Sequence, residues 1–114
     1  MSINNNVILV GNLTSDPSMG DGDREVVNFR MAVNQRFRKP GEEEFSERTD
    51  FVDVECWGKQ ATNVASSLSK GKRAIVAGQL RLDQWQDSDG NWHRATRVKA
   101  HVVGPSLEFD TATV

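Results

Sequence analysis

Tyrosine is missing from the 114 residues, although tryptophan occurs three times, and cysteine occurs once. A single thiol excludes an internal disulfide and a cysteine-based metal cluster. No apolar run approaches the ~20 residues of a membrane helix, and no signal-peptide core is present. The expectation is therefore a soluble protein of a reduced, cytoplasmic compartment. An excess of positive charge is missing as well: 14 Lys and Arg face 16 Asp and Glu, for a net charge of −2 and a pI near 5.6. That balance excludes a chain that holds nucleic acid through overall charge, so an anionic partner must be met by a local basic patch. The length suits one domain with one core. With 37% hydrophobic and 26% charged residues, the composition is that of an ordinary globular protein.

What is present is mostly two-residue alternation, the signature of half-buried strands. VILVGNL, 7–13, is a first strand, bounded by the turn-rich SDPSMGDGD. In EVVNFRMAVNQRF, 25–37, Val27, Phe29, Met31 and Val33 alternate with Asn28, Arg30, Ala32 and Asn34, which gives one dry face and one wet, basic face. RKPGEEEFSER follows as a long polar connection. FVDVECWG, 51–58, is a third strand. KQATNVASSLSKG is the one helical segment, with Ala61, Val64, Ala65 and Leu68 at helical spacing and Gly71 as its stop. RAIVAGQLRLDQW, 73–85, and WHRATRVKAHVV, 92–103, are two more strands around DSDGN, whose Asp-Gly step signals a hairpin. With Asp89 and Gly90 at the turn centre, Ser88 pairs with Asn91 and Trp85 stands opposite Arg94. Three strands, one helix and two strands is the layout of the OB-fold, a five-stranded Greek-key barrel, and a five-stranded sandwich remains the alternative. The expected class is all-β with one short helix and extended hairpins. The OB domain covers 1–104. Residues 105–114 form a C-terminal extension with a possible extra strand.

The third strand holds the functional clue. Val52, Val54 and Cys56 face one way, toward a core. Phe51 and Trp57 face the other way, with Asp53 and Glu55 between them, and large rings on the wetter face need a reason. Trp85 ends the fourth strand. Each ring alone is more simply a core, interface or random surface residue. Three of them together, flanked by Arg and Lys, favour a face on which nucleobases stack, since every base has a π-face. The cations interleaved with the rings are Arg30, Arg36, Arg38, Lys39, Lys59, Lys72, Arg73, Arg81 and Arg94, with Arg97 and Lys99 on the last strand. They suit phosphate contacts that weaken with salt. Asp53, Glu55 and Glu42 to Glu44 oppose that reading unless they point aside or pair with arginine. Strict alternation assigns Phe37 to the core set, so its exposure requires a bulge or bend.

Catalytic arrangements are poor. His93 and His101 stand eight apart without a carboxylate or cysteine at ligand spacing. Asp87, Asp89 and Asn91 resemble the start of a calcium loop, but Val98 occupies the position of the required glutamate. Gly58-Lys59 lacks the rest of a P-loop, and Cys56 alternates inward as a small core residue. No cofactor, metal or enzymatic activity is expected. Two rivals to a strand-binding protein stand: an OB-type interaction or accessory subunit with weak or no DNA binding, and a metal-dependent nuclease.

NNVILVGNLTSDP, FRMAVNQRF, FVDVECWGKQATNVASSLSKG and GQLRLDQWQDSDGNWHRATRV together resemble the bacterial single-stranded DNA-binding protein family, and VGPSLEFDTATV resembles its actinobacterial branch. The resemblance implies an OB-fold homotetramer that coats and protects single-stranded DNA without sequence preference in replication, recombination and repair. It implies base stacking on Phe37, Phe51, Trp57 and Trp85, and a C-terminal segment that adds a strand and clasps subunits. Relatives often carry Trp where Phe37 and Phe51 stand, some carry a basic residue at Asp53, and the frequent Tyr near the helix end is replaced in SSLSKG. The family usually continues into a Gly/Pro/Gln-rich linker and an acidic tip that recruits replication and repair proteins. That tip is absent from these 114 residues, so such partners are expected only where a longer chain supplies it.

Overall fold

A computed structural model describes residues 3–20 and 25–114. Its elements are β1 (Val7–Leu13), β2 (Ser18–Met19), β3 (Val26–Phe37), β4 (Ser46–Trp57), α1 (Gly58–Ser67), β5 (Arg73–Gln86) and β6 (Trp92–Pro105). The strand order is β1-β5-β6-β4-β3-β2, and a further pairing of β1 with β3 closes five strands into a barrel. This is the OB architecture. The sixth strand, β2, is a two-residue addition to the edge of β3, at Asn28 and Val27. It falls inside the segment assigned to turns, of which 21–23 lie outside the described residues.

The dry sides of the alternating strands meet inside the barrel. Leu13, Val27, Phe29, Met31, Val54, Cys56, Ala74, Val76 and Val98 are all buried there. Each large aliphatic or aromatic side chain so buried contributes roughly 1.5–3 kcal/mol. Two barrel positions need glycine because backbones nearly touch: a Cβ on Gly11 would collide with the Ala32 carbonyl, and one on Gly78 with the Lys99 carbonyl. At Gly78 the β5–β6 register also shifts: Ala77 pairs with Val102 and Gly78 with Ala100, leaving His101 as the extra residue.

The helix packs against β3, β4 and β6. It inserts Ala61 and Val64, and Leu68 just past its end is buried with them, whereas Ala65 faces solvent, contrary to the sequence reading. It stops at Ser67, because Leu68 turns extended and its N–H bonds the Val64 carbonyl. The expected stop at Gly71 is a later turn, with φ 88°. The Gln60 side chain ties helix to sheet: its Nε2 donates to the His101 carbonyl (3.0 Å) and its Oε1 accepts from Val103 N–H (2.9 Å).

Two hairpins overrun the core and project as arms. The β3–β4 pairing runs unbroken from Val26 opposite Trp57 to Phe37 opposite Ser46. The third strand therefore starts five residues earlier than the octet suggested. In the β5–β6 arm, Gln86 pairs with Trp92 and Trp85 with His93. The expected pairing of Trp85 with Arg94 is off by one residue, because the loop has three residues rather than two. Asp87 N–H donates to the Asn91 carbonyl (2.9 Å), Gly90 N–H to the Asp87 carbonyl (3.1 Å), and Gly90 has φ 86°. This is a turn followed by a glycine bulge. The Asp87 carboxylate locks it by accepting from Asp89 N–H and Asn91 N–H, each at 2.9 Å.

Beyond Pro105, residues 106–114 form no strand within the single chain. They fold back over the start of β5. Ser106 N–H bonds the Arg73 carbonyl (2.9 Å), Arg73 pairs with Glu108 (2.9 Å) and Lys72 with Asp110 (3.7 Å).

Candidate nucleic-acid interface

Strand register assembles one face. Across β3, β4, β6 and β5 it aligns Arg30, Asp53, Arg97 and Arg81 in a row, and Asn28, Glu55, Lys99 and Gln79 in the next. Phe51 lies before these rows and Trp57 after them, six residues and roughly 20 Å apart along β4. Trp85 stands on the same face, farther out on the β5–β6 arm. Phe51 is 63% exposed and Trp85 44%. Trp57 is half-buried, so the three rings do not share one environment. Trp85 stacks on His93 with ring centroids 5.5 Å apart and planes 19° from parallel. His93 Nε2 lies 2.7 Å from Asp87 Oδ2. That contact, with the two backbone N–H bonds, holds Asp87 below its usual carboxylate range.

Phe37 keeps its core parity. No bulge interrupts β3–β4, so its ring lies on the reverse face from Phe51. It is still 40% exposed, because that part of the arm extends past the core. The neighbouring ring on the Phe51 face is Phe45, which composition alone had left in a polar connection. Arg36 sits over it at 4.7 Å and Arg38 at 5.8 Å from the ring centroid. This contact leaves both charges available to an anion. A continued count back from Phe51 through Thr49 and Glu47 would have found Phe45. The β5–β6 arm likewise carries a reverse-face ring, Trp92, 69% exposed beside Arg94 and Gln84.

Of the carboxylates that spoke against phosphate binding, Asp53 and Glu55 are paired, whereas Glu42 to Glu44 lie exposed in the β3–β4 loop. Arg30 bonds Asp53 through Nε (2.9 Å) and Nη2 (3.3 Å), and the hydrogen bond and charge of Asp53 raise its pKa. Glu55 is only 5% exposed. It accepts from Trp57 Nε1 (2.7 Å) and, at Oε2, from Arg81 Nη2 (3.1 Å), which also lies 3.0 Å from Oε1, with Arg97 Nη1 at 3.6 Å. Burial works against the Arg81 charge, but Glu55 and Asp83 outweigh it and the pKa is raised. Behind this cluster, burial first and Glu55 second push the Cys56 thiol up to about 11, so it stays protonated at neutral pH.

A cleft of about 540 Å³ opens on this face, lined by Thr14, Ser15, Ser18, Asn28, Phe29, Arg30, Asp53 and Arg97. Asn28 and Arg30 come from the wet face of β3, whereas the hydroxyls of Thr14, Ser15 and Ser18 come from the segment between β1 and β3 and give no sequence signal. Arg36, Arg38 and Lys39 lie exposed on the β3–β4 arm, and Lys59 lies exposed at the start of the helix beside Trp57. Arg94 occupies the reverse face of the other arm. Lys72 and Arg73 are not brought to the Trp85 ring, and Arg73 lies instead over Phe109, 5.5 Å from its centroid. They lie at the far end of β5, twelve residues and up to roughly 40 Å of strand from Trp85, engaged by Asp110 and Glu108. Among the described residues, no group of three His, Cys, Asp or Glu side chains is placed to hold a metal ion, and no helix is long and apolar enough to cross a membrane.

A closed OB barrel whose outer sheet face and two arms carry solvent-facing rings beside arginines belongs to the class of proteins that hold extended polymers on a sheet surface. The family follows from comparison. Residues 4–106 match the sequence model of the Single-strand binding protein family, and the chain belongs to that family. Single-stranded DNA-binding protein 3 of Clostridium acetobutylicum is 37% identical over 103 residues, covering 87% of this chain and 68% of the relative. The single-stranded DNA-binding protein of Corynebacterium glutamicum is 37% identical over 112 residues, covering 96% of this chain but half of the relative. Among solved structures, the small single-stranded DNA-binding protein from Streptomyces coelicolor superposes with a TM-score of 0.71 at 27% identity, covering 92% of this chain and 97% of the other. A Plasmodium falciparum SSB complex with ssDNA superposes at 0.79 and 21% identity, over 93% and 97%, a likeness of fold.

Proposed function

We propose that this chain binds single-stranded DNA without sequence preference, coating and protecting it during replication, recombination and repair, and that it does so without catalysis. One observation carries the reading: Phe51, Trp57 and Trp85 stand on a single outer face, away from the core, with cations around them. Each ring replaces a base–base stack with a base–aromatic one, worth roughly 1–3 kcal/mol per base. Arg36, Arg38, Lys39 and Lys59 neutralise phosphates and release counterions. Phe37 and Arg94 serve a strand that passes round to the reverse faces. Binding energy alone keeps the strand single, so no nucleotide hydrolysis is needed.

The DNA-binding domain spans 1–104, and 105–114 clasp a neighbouring subunit within a homotetramer. Support comes from an exposed apolar stripe, Ile8 and Val102 flanking Ala77, with Ile75 beside it, and from exposed Leu107 and Phe109. A tetramer multiplies weak contacts through effective concentration. Replication and repair proteins join it where an acidic tail is present, and the compartment is the cytoplasm.

Tryptophan fluorescence titrated with a long oligothymidylate tests the binding. Strong quenching reversed by salt is expected. An unchanged signal at micromolar protein overturns the proposal and favours an accessory OB subunit, a reading to which the paired arginines at the centre of the face lend some weight.

A further inference from the structure

The row of Arg30, Asp53, Arg97 and Arg81 is electrically closed. Arg81 and Arg97 are held by Glu55 and Asp83. Arg81 Nη2 donates to Glu55 Oε2 at 3.1 Å and to Asp83 Oδ2 at 3.3 Å, and lies 3.0 Å from Glu55 Oε1 as an ion pair. Arg81 Nε lies 3.2 Å from Asp83 Oδ1, but its N–H points off that oxygen and finds no hydrogen-bond acceptor, so this contact is Coulombic. Arg97 lies 3.6 Å from Glu55 and 3.9 Å from Asp83. Two cations and two anions cancel, and the adjacent Arg30–Asp53 pair cancels too. The Trp57 indole is tied into the same cluster through Nε1. Glu55 is the hub, since it alone touches both arginines and the ring, and it is the most deeply buried member.

We infer that Glu55 is a positioning residue that fixes the Trp57 ring for stacking and withholds Arg81 and Arg97 from phosphate, so that DNA crosses this row on rings and meets open charge at the exposed Lys99 of the next row and at the rim. This rests on the reading of the protein as a single-strand binder. It separates two roles that sequence alone merges: Arg81 is not an open phosphate contact while Glu55 and Asp83 are ionised and in place. The energetic logic is that a buried carboxylate is tolerable only when fully paired. A phosphate that took Arg81 would leave Glu55 buried and short of a partner, so the exchange gains little.

The test is the salt dependence of oligothymidylate binding for the wild type, Glu55→Gln and Asp83→Asn. Glu55→Gln keeps an oxygen for the Trp57 indole and removes the charge. Asp83→Asn frees the same arginines from a more exposed position and stands in if the buried variant fails to fold, which a thermal melt reveals. Each variant releases one net positive charge, so the slope of log affinity against log salt steepens by about 0.7, the value for one added single-strand phosphate contact. Trp57 quenching persists in Glu55→Gln, whereas Glu55→Ala, which cannot hold the indole, loses part of it. Slopes of folded variants unchanged from a wild type that binds overturn the inference alone. A wild type that gives no binding at low salt overturns the functional reading beneath it.

Discussion

The two arms are built from similar residues and use them in opposite ways. On the β3–β4 arm, Arg36 and Arg38 lie over Phe45, a contact that orders the cations without cancelling them. Along β5 and β6, Arg81 and Arg97 at the barrel end are closed into pairs with Glu55 and Asp83, and farther out on the arm Trp85 is stacked on a histidine that Asp87 holds. An arginine beside a ring is therefore a different device depending on whether a carboxylate is within reach. On the proposed function, the salt-sensitive part of binding falls more on Arg36, Arg38 and Lys39 of the first arm than on the paired Arg81 and Arg97.

Removing Arg36, Arg38 and Lys39 together, each to Gln, is the strongest way to break the contrast. At ~0.7 per lost phosphate contact the salt slope falls by about 2, so a tenfold rise in salt costs the variant about a hundredfold less affinity than it costs the wild type. Fluorescence titrations at several salt concentrations measure this. Next comes Trp85→Ala, expected to lose roughly 1–3 kcal/mol of oligonucleotide affinity with the salt slope unchanged and stability within about 0.5 kcal/mol. A slope that falls with the ring instead would erase the division of labour.

Phe51→Ala and Trp57→Ala sharpen it further. Both weaken binding, but only Trp57→Ala also lowers stability in urea, by about 1–3 kcal/mol, because Glu55 loses a donor while buried. The smallest effect is at the β5–β6 tip. Its stabilisation by Asp87 is full above the ordinary carboxylate value of 3.8 and is lost as pH falls through the lower value of the folded state. Hydrogen exchange at Asn91 N–H should accelerate, relative to a core amide, below that window, and Asp87→Asn should flatten the dependence.

Much of this was legible in the chain itself. The β1 limits are those of VILVGNL, and the order of strands and helix follows from alternation interrupted once. The start of β4 was hidden because SERTD has no dry side: it lies on an arm with solvent on both faces, and alternation needs a core to reveal it. The two-residue β2 is too short to carry a pattern. Among the site residues, parity placed Phe51 and Trp57, whereas Trp85 was legible only as the end of its strand, with Arg94 rather than His93 as its expected partner; parity also placed Phe37 correctly on the reverse face, where the family resemblance pulled it toward the others. The burial of Glu55 was illegible. It depends on arginines 26 and 42 residues away, brought in by β5 and β6. The distance of Lys72 and Arg73 from the rings was legible in the length of β5, and their carboxylate partners in the last ten residues were not.

The overrun of the arms past the core has one more consequence. A sheet backed by a core offers a ligand a single wall, whereas each arm is a blade, with Phe37 or Trp92 on the side away from Phe45 or Trp85. A flexible polymer that reaches the rim of such a blade can fold around it and continue in the reverse direction, still in contact. Contour length held per molecule then grows with the number of turns rather than with the width of the barrel.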